Sequence, residues 1–275
     1  GHHFAAIAGA GPLVILATKT GATTEAAAAI GTAFPAGTAV LSLQNGIDNT
    51  ARIRAAAPTV TALAGMVPFN VTLDHDAAGR LVARRTTSGE IHAEDAPILR
   101  TLAPLFAKAG LPLALTSDMA GVQWGKLLLN LNNPVNALSG LPLRDELMDR
   151  DYRRALALLM DEALGLLQAA GQTPAKAGAA PPRLIPFILR LPTWAFSRIA
   201  ASMLSIDPAA RSSMADDLAA GRPTEIDDLS GAVIRLATSL GRRAPANEAA
   251  LRLITAHRPG ERLSGPAVLN ALQTR

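Results

Sequence analysis

The sequence predicts an α/β domain followed by an all-helical one, and three observations carry that prediction. Strand-like and helix-like stretches alternate from Leu13 to Gly110, the pattern of a parallel sheet with crossover helices. From about Ser117 the apolar residues recur at helical spacing instead. With 275 residues, 49% of them hydrophobic, the chain has enough apolar material for two ordinary cores. The expected domains are 1–117 and 118–275.

Taken in order, "LVILAT" reads as a buried strand and "TTEAAAAIGTAF" as a helix. "AVLSLQ" follows as a strand and "IDNTARIRAAA" as a helix. "VTALAGMVPFNVTL" holds one or two strands, and "GRLVARRTT" with "GEIHA" reads as a β-hairpin region. "APILRTLAPLFAKAG" is an amphipathic helix stopped by Gly110. The second half gives "VQWGKLLLNLNN", "YRRALALLMDEALGLLQAAG", "ARSSMADDLAAG", "EIDDLSGAVIRLATSLG" and "NEAALRLITAH" as helices. "QTPAKAGAAPPR", rich in Pro, Gly and Ala, is a loop. The cleft between two such domains is the default ligand site.

Composition narrows the chemistry. There is no cysteine, which removes disulfides, thiolate catalysis and Cys-based zinc sites and fits a reducing cytoplasm. The net charge of +4 comes from scattered basic residues, and aromatics are 3%, so a nucleic-acid surface is not expected. The longest uncharged stretch, Ala26 to Ile47, is broken by Gly31, Pro35, Gly37 and Asn45, which argues against a membrane span. Only four of the 26 basic residues are lysines: Lys19, Lys108, Lys126 and Lys176. A lysine kept inside an apolar pattern invites a reason, because a desolvated lysine can lose its proton near neutrality and an arginine cannot.

Three segments carry polar side chains where packing alone does not demand them. In "LSLQNGIDN" an apolar strand ends on Gln44-Asn45-Gly46, at the sheet end where parallel sheets take ligands; taken alone, Asn-Gly reads first as a plain turn before the next helix. In "WGKLLLNLNNPVNAL", Lys126, Asn130 and Asn133 fall at i, i+4 and i+7, one face of a Leu-rich helix that Pro134 kinks or ends. That face is either a solvated stripe or a set of partners for a ligand. In "ARSSMADDLAAGRPTEIDDLSG", Ser213 and Glu225 bracket a helix over Met214–Ala220, and Thr224 is a candidate N-cap for the next one. Glu225 either serves the helix dipole or reaches a ligand.

Together these segments resemble the ketopantoate reductase (2-dehydropantoate 2-reductase) family, in order from about Pro12 to Asn247. The resemblance implies a Rossmann-type domain followed by a helical domain like that which ends 6-phosphogluconate dehydrogenase. It implies NADPH-dependent reduction of the C2 ketone of 2-dehydropantoate, in the pathway to pantothenate. Carried onto this chain, Lys126 would be the general acid and Glu225 would bind substrate and help set the lysine. Ser213 would take the substrate carboxylate, and Asn130 and Asn133 its hydroxyl and carboxylate groups. Asn45 would lie between nicotinamide and substrate, and Lys19 beside the cofactor. The implied partners are a small 2-oxo acid and a second copy in a homodimer. The alternatives are a related NAD(P)-dependent 2-oxo-acid or hydroxyacid dehydrogenase, and an inactive helical binding or dimerisation module.

Two departures bear on specificity, Ala210 and Ala22, where better-known members carry an asparagine and a glutamine. A third concerns Gly9-Ala10-Gly11. In the dinucleotide fingerprint the glycines follow a strand and open a helix; here they precede one, and position 14 is Val14. The resemblance therefore implies an N-terminally truncated member, lacking a first βαβ unit of on the order of 30 residues.

Overall fold

The structure, a computed structural model, describes residues 13–76, 78–178, 180–201, 204, 207–258 and 260–273. The Gly9-Ala10-Gly11 turn lies outside the described residues. The chain divides into two compact units, Gly1–Met119 and Ala120–Arg275.

The first unit is built on a five-stranded sheet. Its elements are β1 (Leu13–Leu16), α1 (Thr23–Ala33), β2 (Ala39–Ser42), α2 (Asn49–Ala56) and β3 (Thr61–Met66). Then come β4 (Val71–His75), β5 (Leu81–Arg85), β6 (Ile91–Glu94), α3 (Pro97–Lys108) and β7 (Leu113–Thr116). The strand order is β1-β2-β3-β6-β7. β1, β2 and β3 run parallel, with Leu13 beside Ala39 and Ala39 beside Thr61.

Alternation along β2 explains the two-sided core. Val40 joins Leu16, Ile30, Ile53 and Ala62 on the face covered by α1 and α2. Ala39 and Leu41 join Leu63, Ala93 and Leu99 on the face covered by α3. A strand buried on both faces reads as a continuous apolar run, which is why it was visible in the sequence.

The sheet is mixed rather than all parallel. β6 pairs with β3 antiparallel, Gly65 beside Ala93, and with β7 parallel, Ile91 beside Leu113. "GEIHA" therefore does not belong to the hairpin expected of it. The hairpin is β4 with β5, Val71 beside Arg85 and His75 beside Leu81. Burial separates the two strands: Ile91 and Ala93 are buried, whereas β5 is almost wholly exposed.

The second unit is helical. It contains α4 (Met119–Asn130), α5 (Asn132–Ser139), α6 (Leu143–Met148) and α7 (Arg150–Ala169). It continues with α8 (Ile185–Arg190), α9 (Thr193–Ile199), α10 (Ser213–Ala219), α11 (Ile226–Ser239), α12 (Pro245–Ala256) and α13 (Gly265–Gln273). α7 is the long central helix. Its buried residues include Tyr152, Ala155, Leu156, Leu159, Met160, Ala163, Leu166 and Leu167, a stripe with the 3–4 spacing that puts one helix face into a core. Asp149 caps its start by accepting from the Asp151 amide at 2.7 Å.

Candidate functional site

In the first unit, the ends of β1 and β2 are tied together by one buried amide. Gln44 Nε2 donates to Thr23 Oγ1 at 2.8 Å and to the Thr18 carbonyl at 3.0 Å. Ser42 Oγ donates to Gln44 Oε1 at 3.0 Å. The Asn45 carbonyl accepts from Thr20 Oγ1 at 3.1 Å and from Asn49 Nδ2 at 2.6 Å. These bonds hold the backbone that carries Lys19 and Asn45, whose own side chains are exposed. Gly46 follows with φ 90°, a left-handed conformation that glycine adopts without steric cost. Gln44, Thr20 and Thr23 were not singled out from sequence. Their only signal was polarity at the mouth of an apolar strand.

In the second unit, α4 carries Lys126 in its third turn, half-buried, with Asn130 one turn on at its last residue. Burial pushes the Lys126 ammonium below its ordinary value of 10.5. No ion pair links Lys126 to a carboxylate among the described residues.

The expected single face through Lys126, Asn130 and Asn133 is not one helix. The chain turns from α4 into α5 at Leu131, and Asn133 and Pro134 lie in the first turn of α5. The break falls ahead of Pro134 because the first turn of a helix requires no intrahelical N–H, so proline is tolerated there.

α5 and α10 are joined by side-chain bonds. Ser212 Oγ donates to the Asn133 carbonyl at 3.3 Å, and the Ser212 amide donates to Asn136 Oδ1 at 2.9 Å. Ser212 Oγ also accepts from the Ala215 amide at 3.1 Å, so Ser212 caps α10 and Ser213 is its first residue, exposed. This brings Asn133 and Ser213 into one neighbourhood. Of the two adjacent serines the sequence did not tell which would cap.

Glu225, not Thr224, takes the N-cap position of α11; its side chain makes no cap bond, and its carbonyl accepts from the Asp228 amide at 3.0 Å. The residues singled out from sequence thus fall into two groups, Lys19 with Asn45 in the first unit, and Lys126, Asn130, Asn133, Ser213 and Glu225 in the second. Among the described residues no group of three or more His, Asp or Glu could hold a metal ion, and no helix is long and apolar enough to cross a membrane.

Comparison with known proteins gives the same family from both units. Residues 5–96 match "Ketopantoate reductase PanE/ApbA", and residues 118–258 match "Ketopantoate reductase PanE/ApbA C terminal". The 2-dehydropantoate 2-reductase of Pyrobaculum aerophilum is 30% identical over 222 residues, covering 80% of this chain and 69% of that protein. The crystal structure of a PanE/ApbA family ketopantoate reductase from Ralstonia eutropha JMP134 superposes with a TM-score of 0.72 at 27% identity, covering 96% of this chain and 77% of that one. A D-mandelate dehydrogenase solved with NADH and anilino(oxo)acetate shares the fold, with a TM-score of 0.69 at 18% identity over 95% of this chain and 77% of that one. With both units matched and a mixed-sheet domain followed by a helical one, the chain belongs to the ketopantoate reductase family of oxidoreductases.

Proposed function

We propose that the chain reduces the C2 ketone of 2-dehydropantoate to the alcohol of pantoate with NADPH as reductant, and that Lys126 delivers the proton. The observation that carries this reading is the desolvated Lys126 ammonium on a helix with no other charged side chain. Hydride addition to a ketone builds negative charge on oxygen, and a cation within hydrogen-bond reach both stabilises that charge and supplies the proton. A lysine lowered from its ordinary value gives up its proton more readily than an exposed one.

The residues of the first unit fit a nicotinamide cofactor by their place on the sheet. Two exposed donor side chains, Lys19 and Asn45, follow adjacent parallel strands, where open α/β sheets take their ligands. The chemistry supplied by bound NADPH is a hydride to C2. In the second unit Ser213, Asn133 and Asn130 would hold the carboxylate and hydroxyl groups of the 2-oxo acid. Glu225 would hydrogen-bond the substrate and orient the Lys126 ammonium. The division of labour is then cofactor on 1–117 and substrate, with homodimer formation, on 118–275.

A second reading keeps the reaction and changes the substrate to another 2-oxo acid. It is favoured by Ala210, whose side chain has no hydrogen-bonding group and which bonds only through its backbone, accepting from the Leu143 amide at 2.8 Å and donating to the Asp207 carbonyl at 2.9 Å. Titration with NADPH followed by cofactor fluorescence, then turnover of ketopantoate against a panel of 2-oxo acids, separates the two. Lys126→Ala should lower kcat/KM by about 10²–10⁴-fold. No NADPH binding at millimolar cofactor, or unchanged turnover in Lys126→Ala, would reject the proposal.

A further inference from the structure

The structure holds a buried carboxyl that the reaction above does not use. Glu146 on α6 is fully buried, and its Oε2 accepts from Asn132 Nδ2 at 3.1 Å and from Asn136 Nδ2 at 3.0 Å. Asn136 makes two further bonds in the same region: Nδ2 also donates to the Leu141 carbonyl at 3.0 Å, and Oδ1 accepts from the Ser212 amide at 2.9 Å. The chain of bonds therefore runs from Glu146 through Asn136 to Ser212, the residue that caps α10 and touches the Asn133 carbonyl.

Two buried oxygens in this cluster meet no donor among the described residues, Asn132 Oδ1 and Glu146 Oε1. Both are acceptors while Glu146 is ionised, and a buried acceptor left without a donor costs about 1–3 kcal/mol. One proton removes the conflict. On Oε1 it makes that atom a donor, and a carboxylic acid paired with an amide can exchange two hydrogen bonds, N–H to C=O and O–H to C=O. Oε2 is then the carbonyl oxygen that receives both asparagine amides.

We propose that Glu146 is the positioning residue for Asn133 and Ser213, and that it acts as a carboxylic acid whose Oε1 hydroxyl donates to Asn132 Oδ1. The surroundings agree. Burial pushes the Glu146 carboxyl up to about 8, the amides of Asn136 and Asn132 pull it down, and the Asp149 carboxylate adds to the rise. α5 brings no charged side chain to it. From the α7 side come Asp149, Tyr152 and Arg153, and Arg153 Nη1 is committed to the Leu147 carbonyl at 2.8 Å. On α6 itself Arg144 and Asp145 are exposed, and beyond Ser212 the exposed Arg211 and Asp216 approach each other at 3.9 Å. No cation among these offers Glu146 Oε1 a bond.

The proposal rests on the substrate roles given above to Asn133 and Ser213, so its test has arms with and without substrate. Glutamine reproduces a neutral acid, with one donor and one acceptor; aspartate keeps the carboxyl but falls short by a methylene. Isotope-edited infrared difference spectra between parent and Glu146→Gln are expected to show a protonated-carboxyl band near neutral pH. A carboxylate band in its place would overturn the protonation. The backbone amide resonances of Asn133 and Ser213 should hold in Glu146→Gln and move in Glu146→Asp; the reverse order removes the positioning role. In turnover of the 2-oxo acid, the KM of Glu146→Asp should exceed that of Glu146→Gln by about fivefold or more, as one broken buried bond predicts. Equal KM values would also overturn it. A chain that turns over no 2-oxo acid would remove the reductase reading alone, because the band and the resonances are read without substrate.

Discussion

The Ala175 carbonyl oxygen rests against the α-carbon of Gly125, in the space a Cβ there would fill. The same loop residue donates its amide to the Gly121 carbonyl at 2.8 Å, so the Pro/Ala-rich stretch after α7 is seated on α4 one residue from Lys126. Only glycine permits this approach. Gly125→Ala should force the loop off α4 and cost about 1–3 kcal/mol, as overpacking against backbone does. Chemical denaturation measures the loss. Amide exchange at Ala175 should accelerate relative to the rest of the unit, and an unchanged rate would reject the contact as the cause.

Lys126 makes a signed prediction about pH. In the proposed reaction its ammonium must be present for proton delivery, and burial lowers its value below 10.5. kcat/KM for reduction should therefore fall as pH rises through a value lower than that of an exposed lysine. Stability moves the other way. The folded state holds the charged form at a cost, so stability rises with pH between the lowered value and 10.5. Lys126→Arg keeps the charge and cannot deprotonate. It should abolish the basic limb of the profile while reducing kcat, and a basic limb that persists in this variant would exclude Lys126 as its source.

The pattern of these residues explains what the sequence disclosed. β2 and β3 were legible because a strand buried on both faces has no polar alternation to confuse it. β6 was not, because four residues of alternating burial also describe one arm of a hairpin, and only its pairing with β3 and β7 decides. α7 announced itself over twenty residues of regular spacing, whereas α6, α8 and α9, of six or seven residues each, are too short for a period to register. For the proposed site, residue types pointed to Lys126, Asn130 and Asn133. What they could not convey was that Gln44, Ser212, Glu146 and Gly125 do their work while buried, through contacts with residues of other elements. Those partners exist only once the elements have packed.

Gln44 is the clearest case, since it looked like turn punctuation and is a buried clamp. Its amide joins β2 to the end of β1 through Thr18 and to α1 through Thr23. Gln44→Leu matches its bulk but leaves those acceptors and the Ser42 hydroxyl unmatched, at a cost of about 1–3 kcal/mol. The expected result is weaker NADPH binding together with lower stability of the first unit. Gln44→Glu replaces a donor with an acceptor facing the Thr18 carbonyl and should be worse than Leu. If fluorescence titration finds Gln44→Glu as tight as the parent, the clamp does not set the cofactor end of the sheet.

Arg153 tests the second unit by the same logic with a charge in place of an amide. It is fully buried on α7, and among the described residues no carboxylate bonds its guanidinium. Nη1 donates to the Leu147 carbonyl at 2.8 Å, Nε to Leu189 at 3.0 Å and Nη2 to Leu191 at 2.9 Å. These carbonyls end α6 and α8 and precede α9, so one side chain satisfies helix ends that would otherwise be buried without donors. The guanidinium also lies over the Phe196 ring, 4.3 Å from its centroid. A lysine at this position has the charge but not the planar fork that serves three separated carbonyls. Arg153→Lys should cost about 2–4 kcal/mol and Arg153→Met at least as much, because the methionine leaves every carbonyl unpaired. Arg150, exposed and reaching the Arg190 carbonyl at 3.2 Å, provides the control: Arg150→Lys should change stability by less than about 0.5 kcal/mol. Urea midpoints that fail to separate the two positions would show that the buried fork is not what holds α8 and α9 against α7.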